Sequence, residues 1–302
     1  MEAIVAGEND LESEGGVIGD CALCLDKNVI LKESHSIPKF AYDWLKKSSR
    51  TPYIRHSSDV NVRHQDGPKE YLLCGKCEGK LSVWEKILAE KLFRKIANYR
   101  KQPEKVVVTE EIKLAVLSIF WRALLTTKDA VGNWTDQDKA RVEIFLKECR
   151  GDLLRNHCEK TIYFAPFHGL PPYYGLPQAF SYMLERAVGA QDIKFTDNPH
   201  RYIAAFKLPF MYFYMLSDGW GQEDCHKVTE LTVGEIDISR IADIPGILKE
   251  YITMEHEDFV ISQSEMNNFS KEQIRQALSK KMDTLTGADK SLARAGLRPP
   301  ID

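Results

Sequence analysis

Two short cysteine hooks constrain this chain more than anything else in it. Cys21-Ala-Leu-Cys24 and Cys74-Gly-Lys-Cys77 each fit a tight turn. Together they can set four thiolates tetrahedrally around one zinc ion. Four thiolates leave no open coordination position, so such a zinc folds the chain and does no catalysis. Cys149, Cys158 and Cys225 remain outside the hooks and read as buried thiols. Seven cysteines used this way fit a metal and a reducing, cytoplasmic setting better than a disulfide framework. A RING or LIM arrangement would need a second set of four ligands, which the spacing does not offer. The acidic N-terminus has no basic-then-apolar leader pattern, so secretion is not expected. No run approaches the roughly 18–20 apolar residues of a membrane span. The longest, Leu208 to Leu216, contains Pro209 and reads as a buried strand.

Between the hooks lies Glu33-Ser34-His35-Ser36-Ile37-Pro38. Asn28 to Leu31 reads as a strand that delivers His35, and Lys39 to Lys47 as a short helix after Pro38. Val60 to Tyr71 reads as a hairpin around Asp66-Gly67-Pro68. The second hook runs straight into a helical pattern to about Arg100, with Leu81, Trp84, Leu88 and Leu92 as its apolar stripe. This order of hook, strand with histidine, hook and helix resembles the HNH or His-Me-finger endonucleases over about residues 20–100. The resemblance implies a treble-clef, zinc-stapled ββα-metal module with Cys21, Cys24, Cys74 and Cys77 as zinc ligands. It also implies a catalytic divalent cation, Mg or Mn, and His35 as the general base that activates water against a phosphodiester. A bacterial or phage setting, such as restriction or antiviral defence, belongs to the same implication.

The sequence departs from that family at two positions. Ser34 stands where Asp or His often precedes the base, and Glu78 where Asn often follows the second hook. A hydroxyl is a poor ligand for a hard cation and a carboxylate a good one. The expectation is therefore that the carboxylate has moved from strand to helix and that Glu78 holds the catalytic metal. Glu85 lies two helical turns further on the same face and is a candidate second ligand. Asn61 is a candidate for orienting the base or the phosphate. His56 and His64 lie in the same inter-hook stretch and could substitute for His35, with a surface position as their default. If the site is degenerate, the module is instead a non-catalytic binder of nucleic acid or a scaffold for interactions.

Charge sharpens the choice of partner. The chain carries a net charge of −3, but residues 20–101 hold 17 Lys and Arg against 10 Asp and Glu. Residues 1–19 hold five acids and no Lys or Arg. A basic module within an acidic protein is where a polyanion docks, and DNA is the expected partner. Membrane association is not expected.

Beyond residue 101 the chain reads as a second unit. Lys101 to Val108 is taken as a linker, Ile112 to Leu125 as a central helix, and Thr135-x-x-Asp138 as a capping box opening a helix to about Leu154. Thr161 to Phe167, Tyr202 to Leu208 and Phe210 to Leu216 read as strands. Ile247 to His256 reads as a helix, and Ser270-x-x-Gln273 as the cap of another to about Leu285. The aromatic residues of this unit, with His168, Tyr173, Tyr174, Tyr212 and Tyr214 among them, are expected mostly as core; a surface among them is the alternative place for bases, a protein partner or a second copy. The expected fold class is α+β. It comprises a mobile acidic segment 1–19, the zinc module 20–101, a mainly helical unit 102–285 with a small antiparallel sheet, and a disordered tail 286–302.

Overall fold

The computed structural model describes residues 16–49, 51–130, 134–196, 201–221 and 229–280. The segment expected to be mobile lies outside these up to residue 15, as do the whole tail from 286 and Cys225. The fold is α+β, with small antiparallel sheets among helices.

The first sheet has three strands in the order β1 (Ile18–Gly19), β2 (Val29–His35) and β5 (Lys69–Cys74). Between β2 and β5 the chain makes α1 (Lys39–Lys47) and a separate two-stranded hairpin, β3 (Ile54–His56) with β4 (Asp59–His64). The hairpin expected across Asp66-Gly67-Pro68 is therefore split. β4 and β5 flank that turn, but β4 pairs with β3 and β5 pairs with β2. The helix after the second hook begins as α2 (Gly75–Ile87), widens to π geometry over Leu88–Phe93, and closes with α3 (Arg94–Ile96). Its expected stripe, Leu81, Trp84, Leu88 and Leu92, is buried.

The stretch expected as a linker forms β6 (Lys105–Val108), whose partner β11 (Gly234–Asp237) comes more than a hundred residues later. Val106, Val107 and Val108 favour the pleated backbone because branching at Cβ suits a strand. α4 (Glu110–Thr127) is buried on nearly every face from Ile112 to Leu124, as its apolar sequence requires. α5 (Asp136–Arg155) opens on the expected capping box: Thr135 accepts from the Asp138 main chain, and Asp138 accepts in return. The second sheet runs β7 (Tyr163–Pro166), β10 (Met211–Leu216), β9 (Tyr202–Leu208), β8 (Gly189–Phe195), all antiparallel. α6 (Ser181–Arg186) precedes β8; α7 (Gly246–Ser264) and α8 (Asn268–Lys280) end the described fold. The cap of α8 is Asn267, whose Oδ1 accepts from the Ser270 N–H at 2.8 Å, so Ser270 sits inside the first turn.

Aromatic pairs fix the register of the second sheet. Phe213 lies opposite both Phe206 and Phe164, with ring centroids at 5.1 and 5.2 Å. Phe120 of α4 meets Phe206 edge-on at 4.7 Å. Such pairs add about 0.5–1.5 kcal/mol each beyond their burial. The buried apolar cluster runs from Cys21 and Leu23 through Leu81 and Ile112 to Phe206 and Ile252. Residues on both sides of position 101 thus share one core.

Polar contacts of Arg150, Lys80 and Arg186 are among those that tie the N-terminal segment to the rest. Arg150 of α5 donates to the Leu23 carbonyl inside the first hook at 2.7 Å. Lys80 of α2 donates to the Leu153 carbonyl at 2.7 Å. Arg186 donates to the carbonyls of Ser48 and Leu45 at 3.0 and 3.1 Å, which ends α1 against α6.

Candidate functional site

The two hooks meet at one end of the β2–β5 ladder. Cys74 is the last residue of β5, lies opposite Leu31, and serves as the N-cap of α2. Cys77 sits in the first helical turn. The first hook reaches the same place because the Ala22 N–H donates to the Leu72 carbonyl at 2.9 Å. The turn itself is closed by Leu25 N–H to the Cys21 carbonyl at 2.9 Å, with Leu25 in the left-handed region at φ 66°. The four sulfurs come within 4.8 Å of one another, a cluster that a zinc ion fits. Among the described residues this is the one such convergence of three or more His, Cys, Asp or Glu side chains.

The thiols are electrostatically unequal. Burial works to raise Cys21, but main-chain N–H groups of Cys74, Cys24 and Leu23 outweigh it and bring its pKa down to about 7. Burial pushes Cys24 up to about 11 and, with its neighbouring thiols, pushes Cys77 higher still. Four thiolates cannot share this space without a cation between them. Loading a metal therefore releases protons, and its binding energy becomes folding energy.

The far end of the same ladder holds His35. A bulge between Lys32 and Glu33 breaks the alternation of β2. Ser34 consequently joins Leu31 on the buried side, under α2, and His35 turns to the other side. Ser34 Oγ donates to Glu78 Oε2 at 2.6 Å. His35 Nε2 lies 3.0 Å from Asp66 Oδ2, and its ring lies 6.0 Å from that of Tyr42. Strand and helix therefore bring the expected Ser34 and Glu78 together, while His35 pairs across the strand with a residue read only as part of a turn.

Asp66 is held by its turn. Its Oδ1 accepts from the Gly67 N–H at 3.0 Å. Burial works to raise Asp66, but that N–H, His35 and Lys39 outweigh it and hold the carboxyl below its ordinary range. Gly67 presses on Tyr42: a Cβ there would lie 2.1 Å from the tyrosine ring. Only glycine lets the turn sit close enough to deliver Asp66.

Two of the expected site residues stand elsewhere. Glu85 faces α4 and pairs with Arg122, whose side chain is 1% exposed. Asn61 donates to the Glu265 carbonyl at 3.2 Å and accepts from the Asn267 N–H at 2.9 Å, so it holds the α7–α8 turn. His56 and His64 are not free surface residues. Their rings lie 4.1 Å apart, and the Nε2 atom of each is buried without a hydrogen-bond partner. Burial and the neighbouring His64 ring push the His56 pKa down, against its hydrogen bond to the Asp66 main chain. The sequence signal for this corner was the density of histidines around the Asp-Gly turn.

Comparisons with protein-family models, with curated proteins and with solved structures find no match. The class that fold and cysteine cluster define is an α+β protein with four cysteines placed where they could hold a metal ion. No helix among the described residues is long and apolar enough to cross a membrane.

Proposed function

We propose that residues 20–101 form a zinc-stapled, treble-clef ββα-metal module of the HNH kind, and that the protein is a metal-dependent endonuclease acting on DNA. The observation that carries this reading is the His35–Asp66 contact, 3.0 Å long, at the end of the strand that the cysteine hooks bracket. Asp66 stands beside Nε2 as a fixed carboxylate, and Nδ1 takes a proton from water. The water oxygen forms the new bond to phosphorus as the bond to the leaving oxygen breaks. A divalent cation, Mg or Mn, neutralises the charge that develops on the phosphate and leaving oxygen. Glu78 lies with Ser34 on the other side of β2 from His35 and is left out of this chemistry. Glu85 and Asn61 have structural partners and are left out of the proposed chemistry.

The test is cleavage of supercoiled plasmid with magnesium or manganese. The wild-type chain nicks it; His35→Ala, with unchanged zinc content, does not. Equal nicking by both would end the assignment of His35. A second reading draws on the Ser34–Glu78 hydrogen bond, which already engages the carboxylate. On that reading the module binds nucleic acid without cutting it. Salt-dependent binding with no cleavage under any cation would select it, with a slope of about 0.9 per neutralised phosphate on duplex DNA.

A further inference from the structure

Tyr53, Arg55 and Arg63 come together at the β3–β4 hairpin, with the two guanidinium groups 5.4 and 4.8 Å from the tyrosine ring centre. Ile54 lies opposite His64, and the register shifts between Ile54 and His56. The rings of His56 and His64 lie 4.1 Å apart, tilted by 50°. Both Nε2 atoms are buried and without a partner. Asp66 of the adjoining turn reaches His35 through its side chain, its Oδ2 lying 3.0 Å from Nε2.

A buried ring nitrogen with no hydrogen-bond partner is unusual, because buried polar atoms are nearly always satisfied. Two of them side by side, on rings 4.1 Å apart, is what a pair of histidines sharing a metal ion presents. We propose that His56 and His64 hold a divalent transition cation through their Nε2 atoms, beside the His35–Asp66 pair. Imidazole favours zinc, cobalt, nickel or copper over magnesium. No third His, Cys, Asp or Glu converges with the pair among the described residues. The remaining positions of the cation fall to water that enters with it, since both Nε2 atoms are buried within the fold. The role of that cation in cutting phosphodiesters rests on the endonuclease reading; its binding by the two histidines does not.

Cobalt(II) is the probe. The full chain, carrying its one zinc at the cysteines, is titrated with cobalt chloride and followed by visible absorption. The expected result is one saturable equivalent with d–d bands and no thiolate-to-cobalt charge-transfer band, the band that would mark exchange into the cysteine cluster. His56→Gln and His64→Gln each weaken this binding by at least about tenfold, and His35→Ala leaves it in place. Unchanged binding in the His56→Gln/His64→Gln double variant overturns the proposal, as does the absence of a saturable equivalent in the wild-type chain. Proton NMR of the cobalt-loaded wild-type chain gives the same answer without substitution. Paramagnetically shifted ring protons from two histidines support the site, and their absence refutes it. Cobalt held by this pair, with no cleavage under any cation, would sink the endonuclease reading and leave the metal site standing. Full magnesium-supported nicking with no cobalt bound at the pair would do the reverse.

Discussion

The β2–β5 ladder has two ends, and they are built on different terms. At one end Cys21, Cys24, Cys74 and Cys77 converge within 4.8 Å, from two hooks that are each four residues long. At the other, His35, His56, His64 and Asp66 gather from a strand end, a hairpin and a turn. The cysteine end is closed: its four sulfurs could complete the shell of one zinc ion and would leave no place for a substrate. The histidine end differs: the Nε2 atoms of His56 and His64 are buried and have no hydrogen-bond partner in the fold. In this account the first holds the second in position through six residues of antiparallel strand.

If the two ends have these separate roles, breaking them must have separate consequences. The largest effect is expected at the cysteines. A strong chelator, or Cys77→Ser, should remove metal binding energy of the order of 10–16 kcal/mol. Circular dichroism and gel filtration should show the N-terminal segment unfolded, and the shared core weakened with it.

Next comes the join between the halves. Glu85→Ala leaves the buried Arg122 guanidinium without its carboxylate, at a cost of about 3–5 kcal/mol in denaturant unfolding. Replacing both by apolar residues of similar size should restore most of that loss, because a buried ion pair is often replaceable whole. A metal role for Glu85 would instead show as lost cleavage at unchanged stability.

At the histidine end, Gly67→Ala should drive the turn away from Tyr42 and carry Asp66 off His35. Overpacking of this kind costs about 1–3 kcal/mol. Cleavage should fall while zinc content stays the same. Loss of zinc in this variant would mean that the two ends are not independent.

The smallest effect concerns a histidine remote from both ends. His256 of α7 stacks on Phe180 at 4.0 Å, and burial pushes its pKa down against a main-chain bond to Ala179. The folded chain therefore holds fewer protons there than the unfolded chain does near and below pH about 6.5. Stability from this group is complete above that pH and is lost as the pH falls through the depressed folded value. His256→Phe should flatten the acid limb of the melting temperature between about pH 7.5 and 5.5 without touching cleavage.

How far the sequence carried these conclusions depended on how local each signal was. The hooks were legible because spacing alone defines them. The strand before His35, α1, the Thr135 capping box and the paired aromatic strands were legible from periodicity and cap chemistry. The hairpin across residues 60–71 was misread because Asp66-Gly67-Pro68 does mark a turn, yet a turn does not say which strands pair. β6 was read as a linker because its partner, β11, is remote in sequence. Ser34 and Glu78 were expected to share one site through a metal ligand role for Glu78; the structure brings the two side chains together by a hydrogen bond. Asp66 as the partner of His35 did not follow, because the bulge at Lys32/Glu33 decides which side of the strand each residue faces. That bulge depends on packing against α2, which no single residue announces.

The most direct test of the whole account is the metal content of the full chain purified without added metal. Elemental analysis should find one zinc per chain, lost on substitution of any one of Cys21, Cys24, Cys74 or Cys77 and retained in His35→Ala. A folded, monodisperse chain containing no metal would contradict it.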